Sequence, residues 1–239
     1  MPLQIRVAIL DDHQSIVDGY IYRISSAAHI TVVATGLFGE ELEPMLENNA
    51  VDVLLLDISV PNSPENNNPF PIMYMIPRLL QRYPDLSILV ISMYTQHALV
   101  ETLVNAGISG YIFKDDQASI QQLAKIVEIV AGGGIYFSQG AYRDLRGEQA
   151  EAILTPRQLE ALSLCAAQPD GDTVVLANRL GITGSTLRNL LSGAYLRLGV
   201  RTRAAAIAKA QKLGIFPVMP EANTPAPNGP KNTKNKSIF

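Results

Sequence analysis

One cysteine, Cys165, occurs in the 239 residues, so no disulfide can cross-link the chain internally. Its neighbours Leu162, Leu164 and Ala166 suit a small buried hydrophobe better than a reactive thiol or a metal ligand. Long apolar runs are missing too: no window reaches the roughly 18 uninterrupted apolar residues read as a membrane span. The N-terminus carries no basic, apolar, small-residue leader. These absences lead to the expectation of a cytoplasmic protein with no membrane partner. What is present is ample apolar content, 47% of a chain longer than one ordinary domain, enough to fill two cores.

Each half is short of charge of one sign. Residues 1–142 hold 6 Lys or Arg against 15 Asp or Glu, residues 151–216 hold 8 against 4, and residues 217–239 hold 3 against 1. An acidic front and a basic back fit a cation-binding regulatory unit joined to a nucleic-acid-binding one.

Within the acidic part, β-branched and aliphatic runs alternate with helix-like segments. IRVAIL, ITVVATG, VDVLLL, LSILVI and GYIF read as buried strands, and helices are expected near 14–27, 39–49, 72–82, 96–105 and 118–131. This is the pattern of an α/β fold, a flavodoxin-like, doubly wound, five-stranded parallel sheet of order 2-1-3-4-5. Four strand ends carry chemistry: Asp11 and Asp12, Asp57, Ser92 and Lys114. Singly, each is an ordinary turn, cap or solvated charge. Jointly, they occupy the carboxyl edge of the sheet, where such folds bind ligands. Three carboxylates there repel unless a hard divalent cation holds them, and Mg²⁺ is the natural choice. A hydroxyl and an ammonium beside them complete a phosphoryl-binding site.

Through LDDH, LLLDISVP, VISMY and GYIFKD, residues 5–131 resemble the receiver domain of bacterial two-component response regulators. The resemblance implies that Asp57 accepts a phosphoryl group from a sensor histidine kinase. Asp11, Asp12, Asp57 and the carbonyl of Ser59 would hold Mg²⁺, while Ser92 and Lys114 would bind the phosphoryl oxygens. Tyr111 would be a switch aromatic that turns inward as Ser92 moves. Such a domain is no enzyme toward external substrates, since it catalyses only its own phosphoryl transfer and loss. One stretch departs from the pattern. ISVPNSPENNNPFPIMYM after Asp57 lacks the usual glycine and has four prolines between 61 and 71. It reads as an extended insertion, 62–70, overhanging the acidic pocket, either a neutral surface loop or a lid.

A glycine-opened linker, 132–152, partly helical, is expected next, with the receiver domain ending at 131. LTPRQLEALSLCAAQ then opens a small all-α domain, 153–216, with a Thr cap, a first-turn Pro and apolar Leu159, Leu162 and Cys165. Helices near 173–180, 184–198 and 202–213 follow, with a turn at Gly181-Ile182-Thr183. LTPRQLEAL, LANRLGIT and LRLGVRTRAAAI make residues 154–213 resemble the LuxR/NarL-type helix-turn-helix. That resemblance implies a transcriptional regulator that binds double-stranded DNA and forms a homodimer when phosphorylated. Its recognition helix would offer Ser185, Thr186, Arg188, Asn189 and Ser192 to DNA, with Arg201 and Arg203 on phosphates. The last helix, rich in alanine at 204–206 and 208, would permit close helix approach. Val174, Val175 and Leu190 stand where the family often has polar residues. An alternative is therefore a protein-interaction module that has lost or weakened DNA binding. The proline- and lysine-bearing tail, 217–239, is expected to be disordered.

Overall fold

The computed structural model describes residues 4–146 and 154–215. The expected tail, 217–239, and part of the expected linker lie outside the described residues.

The acidic part starts with β1 (Ile5–Leu10), α1 (Gln14–Ile24), β2 (Ile30–Gly36), a 3-10 turn (Gly39–Glu41), α2 (Leu42–Asn48) and β3 (Val53–Leu56). A hairpin of β4 (Pro61–Ser63) and β5 (Asn66–Pro69) follows, then α3 (Ile72–Arg82), β6 (Ser87–Ser92), α4 (His97–Asn105) and β7 (Gly110–Phe113). The unit closes with α5 (Gln117–Gln121), α6 (Leu123–Ala131), β8 (Tyr136–Phe137) and α7 (Gln139–Arg146). The main sheet runs β2-β1-β3-β6-β7-β8, all parallel. β1 and β3 are neighbours, with Leu10 beside Leu56, so Asp11 and Asp57 leave the sheet together. All four β3 residues are buried because helices cover both faces, which is why VLLL shows no polar alternation.

The sheet has six strands rather than the expected five. Tyr136–Phe137, inside the segment expected as linker, pairs in parallel with Gly110–Tyr111. Gly110 permits the approach, because a Cβ there would lie 2.3 Å from the Tyr136 carbonyl oxygen. Ser138 is fully buried, and its Oγ accepts from the Phe113 amide at 3.3 Å. Two residues carry too little periodicity to show as a strand; the pairing is tertiary. The helix expected at 118–131 is interrupted at Gln122, whose ψ of 18° leaves the helical range.

The insertion forms a compact hairpin rather than an open loop. Asn62 Nδ2 donates to the carbonyls of Asn68 (2.7 Å) and Pro69 (3.1 Å), and the Phe70 amide donates to Val60 (2.9 Å). Prolines at both strand ends explain its shortness, since each lacks an amide for the ladder.

The basic part is four helices, α8 (Pro156–Ala167), α9 (Thr173–Arg179), α10 (Gly184–Leu198) and α11 (Arg203–Lys212). Thr155, Asp172, Thr183 and Thr202 cap their N-termini through side-chain acceptors. Gly181 and Gly199 take φ of 64° and 67° after α9 and α10, a left-handed geometry that glycine adopts without a Cβ penalty. Every residue of α8 from Gln158 to Ala167 is buried. One face packs on α10 and α11 and another on α3 and the hairpin, so a single apolar cluster runs through both parts. An amphipathic helix normally leaves one face wet; the receiver covers that face here.

Candidate phosphoacceptor site and nucleic-acid interface

Asp11 and Asp57 are carried one residue past β1 and β3, and Lys114 one residue past β7. Lys114 Nζ lies 2.6 Å from Asp11 Oδ2 and 2.7 Å from Asp57 Oδ2. Both carboxylates are buried, and the Lys114 side chain is 8% exposed. Burial pushes the Asp57 carboxyl above its ordinary range; Lys114 opposes that shift and the Asp11 charge adds to it. Burial works against the Lys114 ammonium, but Asp57 and Asp11 outweigh it and hold its pKa above the usual lysine value. A cation is thus already built between two carboxylates. The Ser59 amide donates to Asp57 Oδ1 at 3.1 Å, fixing the carboxylate's second oxygen.

Asp12 and His13 lie at the rim. His13 Nδ1 is 2.7 Å from Asp12 Oδ1, and its amide donates to Asp11 Oδ1 at 3.1 Å. Ligand atoms of Asp11, Asp12 and His13 lie within 4.8 Å of one another. His13 is a member the sequence reading passed over, although it stands next in LDDH. Carboxylate oxygens at the buried base and the rim suit a hard divalent cation, so the acidic pocket fits one. The Asp57 carboxylate faces Lys114 instead of joining this cluster.

Ser92, at the end of β6, is fully buried, and its Oγ accepts from the Tyr94 amide at 3.4 Å. Tyr111 on β7 is also fully buried and donates its hydroxyl to the Tyr94 carbonyl at 2.7 Å, edge-on to Phe113. Burial raises the Tyr111 phenol pKa, so it acts as a neutral donor. The structure therefore brings Asp11, Asp57 and Lys114 into contact, and links Ser92 to Tyr111 through Tyr94.

On α10, Ser185, Thr186, Arg188, Asn189 and Ser192 are all exposed. The Ser185 and Thr186 hydroxyls contact Thr183 Oγ1 at 2.8 and 2.9 Å, so they extend the cap at the helix start. Arg201 is exposed, whereas Arg203 is half-buried and donates to the carbonyls of Gly171 (2.9 Å) and Pro169 (3.4 Å). Its guanidinium ties the α8–α9 connection to α11. Val174 and Val175 are 60% and 49% exposed on α9, and Leu190 packs against the core.

This arrangement of strand-end carboxylates and lysine on a doubly wound sheet defines a receiver, and the family model "Response regulator receiver domain" matches residues 7–128. The chain belongs to that family. It is similar to the transcriptional regulatory protein MctR of Rhizobium johnstonii, 29% identical over 89% of this chain and 95% of the relative. It is also similar to the transcriptional regulatory protein DegU of Brevibacillus brevis, 27% identical over 88% and 94%. Among solved structures, RcsB of Salmonella enterica serovar Typhimurium, bound to a promoter, superimposes with a TM-score of 0.62. That match is 20% identical and covers 87% of this chain and 99% of RcsB, so the fold is shared across both parts. Among the described residues, no helix is long and apolar enough to cross a membrane.

Proposed function

We propose that this chain is a two-component response regulator, phosphorylated on Asp57 by a sensor histidine kinase, that regulates transcription by binding double-stranded DNA through α10. The observation carrying this reading is the buried Asp11–Lys114–Asp57 constellation at the switch point of the sheet. An Asp57 oxygen attacks phosphorus as the donor's P–N bond breaks, and the departing imidazole takes a proton. Lys114 neutralises charge on the phosphoryl oxygens, and Ser92 donates its hydroxyl to one of them. Asp11, Asp12, Asp57 and the Ser59 carbonyl would hold Mg²⁺, which supplies further charge neutralisation during transfer. Tyr111 follows Ser92 through Tyr94.

On DNA, exposed Arg188 suits guanine or phosphate, Asn189 adenine, and Arg201 phosphates. Binding as a homodimer after phosphorylation would place two α10 helices on two half-sites. A cytoplasmic location fits this role. A small acyl-phosphate donor with Mg²⁺ should label the wild type on Asp57, and Asp57→Asn should take no label; equal labelling of both refutes the assignment. A second reading, a protein-interaction module, is favoured by the exposed Val174 and Val175 and by Leu196, 83% exposed on α10. No salt-dependent binding of random duplex DNA by the phosphorylated protein would select it.

A further inference from the structure

We propose that the 61–69 hairpin is a tether that couples the phosphoacceptor loop mechanically to the helix-turn-helix unit of the same chain. The coupling half of this inference rests on the phosphoacceptor reading above. The hairpin begins two residues after Ser59, whose amide binds Asp57, so it starts where phosphorylation would act. Its far strand ends at Pro69, which lines one cavity with Ile58, Met73 of α3, and Ser163 and Ala166 of α8. Asn68 and Pro69 also face Ala204, Ile207 and Ala208 of α11 across a second cleft. The hairpin is therefore seated between the phosphoacceptor loop and two helices of the DNA-binding unit.

The α3 helix directly after it locks the contact with charge. Arg78 stacks over the Tyr74 ring at 3.5 Å and donates to Glu160 Oε1 of α8 (2.9 Å) and to the Arg179 carbonyl at the end of α9 (3.0 Å). The Tyr74 hydroxyl donates to the same Arg179 carbonyl at 2.6 Å. Glu160 is 7% exposed and also pairs with Arg157. A buried carboxylate held from across a domain boundary fixes one docking geometry. A second contact reports from the other side of the site. Gln96, in the loop that carries Tyr94, presses on Gly214: a Cβ on Gly214 would lie 2.3 Å from Gln96 Cδ. The Gln96 Oε1 atom is buried and finds no hydrogen-bond partner among the described residues. Loops following both Asp57 and Ser92 thus touch the helix-turn-helix unit, while the polar face of α10, with Arg188, Asn189 and Ser192, stays open to solvent.

The test uses the full chain with spin labels at Gln121→Cys and Lys209→Cys, both exposed, Cys165 being buried. Three quantities are read: the interdomain distance distribution, phosphoryl labelling of Asp57, and the ratio of duplex-DNA Kd without and with the phosphodonor. The wild type should give a narrow distribution and a ratio well above one. Replacing 62–68 by a two-residue turn, or Arg78→Ala, should broaden the distribution and bring the ratio to one with Asp57 still labelled. Gly214→Asn, which tolerates the positive φ of 65°, should broaden it too, and added Gln96→Gly should restore it. A narrow distribution in the shortened or Arg78→Ala protein overturns the tether, as does an unchanged ratio in either. A wild-type ratio of one despite labelling also overturns it. An unlabelled wild-type Asp57 refutes the phosphoacceptor reading instead, and the distance distributions still decide the tether.

Discussion

At the scale of single residues, Lys114 is the pivot of the site, because its ammonium lies between two buried carboxylates. Lys114→Met should destabilise the protein by about 3–5 kcal/mol at neutral pH, the usual cost of leaving a buried charge without its partner. Millimolar Mg²⁺ should recover part of that loss in a thermal melt; no metal response would argue against cation binding there. Asp57 gives the opposite sign. Its folded-state pKa is raised, so its contribution to stability is fully present below the unfolded carboxylate pKa and is lost as pH rises through the folded value. In metal-free buffer, Asp57→Asn should therefore melt higher than the wild type at pH 7, with the gap closing below about pH 4. A gap that widens on acidification would contradict the burial argument. Asp11, Asp57, Ser92 and Lys114 were all legible as strand-end residues, since each closes an apolar run. His13, Arg78 and Glu160 were not, because a histidine beside two aspartates or a charge on a helix reads as solvated surface until something packs on it.

Among the elements, α10 and α11 divide the arginines by what surrounds them. Arg188 projects from the exposed face of α10, so Arg188→Ala should cost about 1–3 kcal/mol on a preferred DNA site without changing the melting temperature. Arg203 serves the loop before α9 through two carbonyls, so Arg203→Ala should lower the stability of the helical unit, by about 1.5–3 kcal/mol for hydrogen bonds from a charged donor. Calorimetry and a DNA titration on the two variants separate the roles; equal loss of stability in both would refute the division. The last helix could be placed from sequence, but not the task of its first arginine. Spacing places Arg203 on α11, whereas the Gly171 and Pro169 carbonyls reach it only after α8 and α9 have folded back. The insertion shows the same limit. Its prolines announced a non-helical segment, but Asn62 and the facing helix α8 decided that it would be a hairpin docked on a second unit.

For the whole molecule, one apolar cluster continuous through the receiver and helical parts predicts a single cooperative unfolding peak in calorimetry. Arg78→Ala should resolve it into two; two peaks already in the wild type would mean that the shared cluster adds little cooperativity. The sequence by itself determined the alternation of buried strands and helices and the capped helices of the second part, while the order that sets Asp11 beside Asp57 followed from likeness to flavodoxin-like sheets. Elements and caps are local matters: apolar periodicity fixes an element, and a cap or glycine ends it. Only the tertiary structure decided that Tyr136–Phe137 adds a sixth strand, that Lys114 bridges two carboxylates, and that α8 is buried all round from Gln158 to Ala167. It also decided that Arg78 of one part pairs with Glu160 of the other. Those outcomes depend on surfaces meeting across 26 to 103 residues of chain, and no local pattern records which residue will face which.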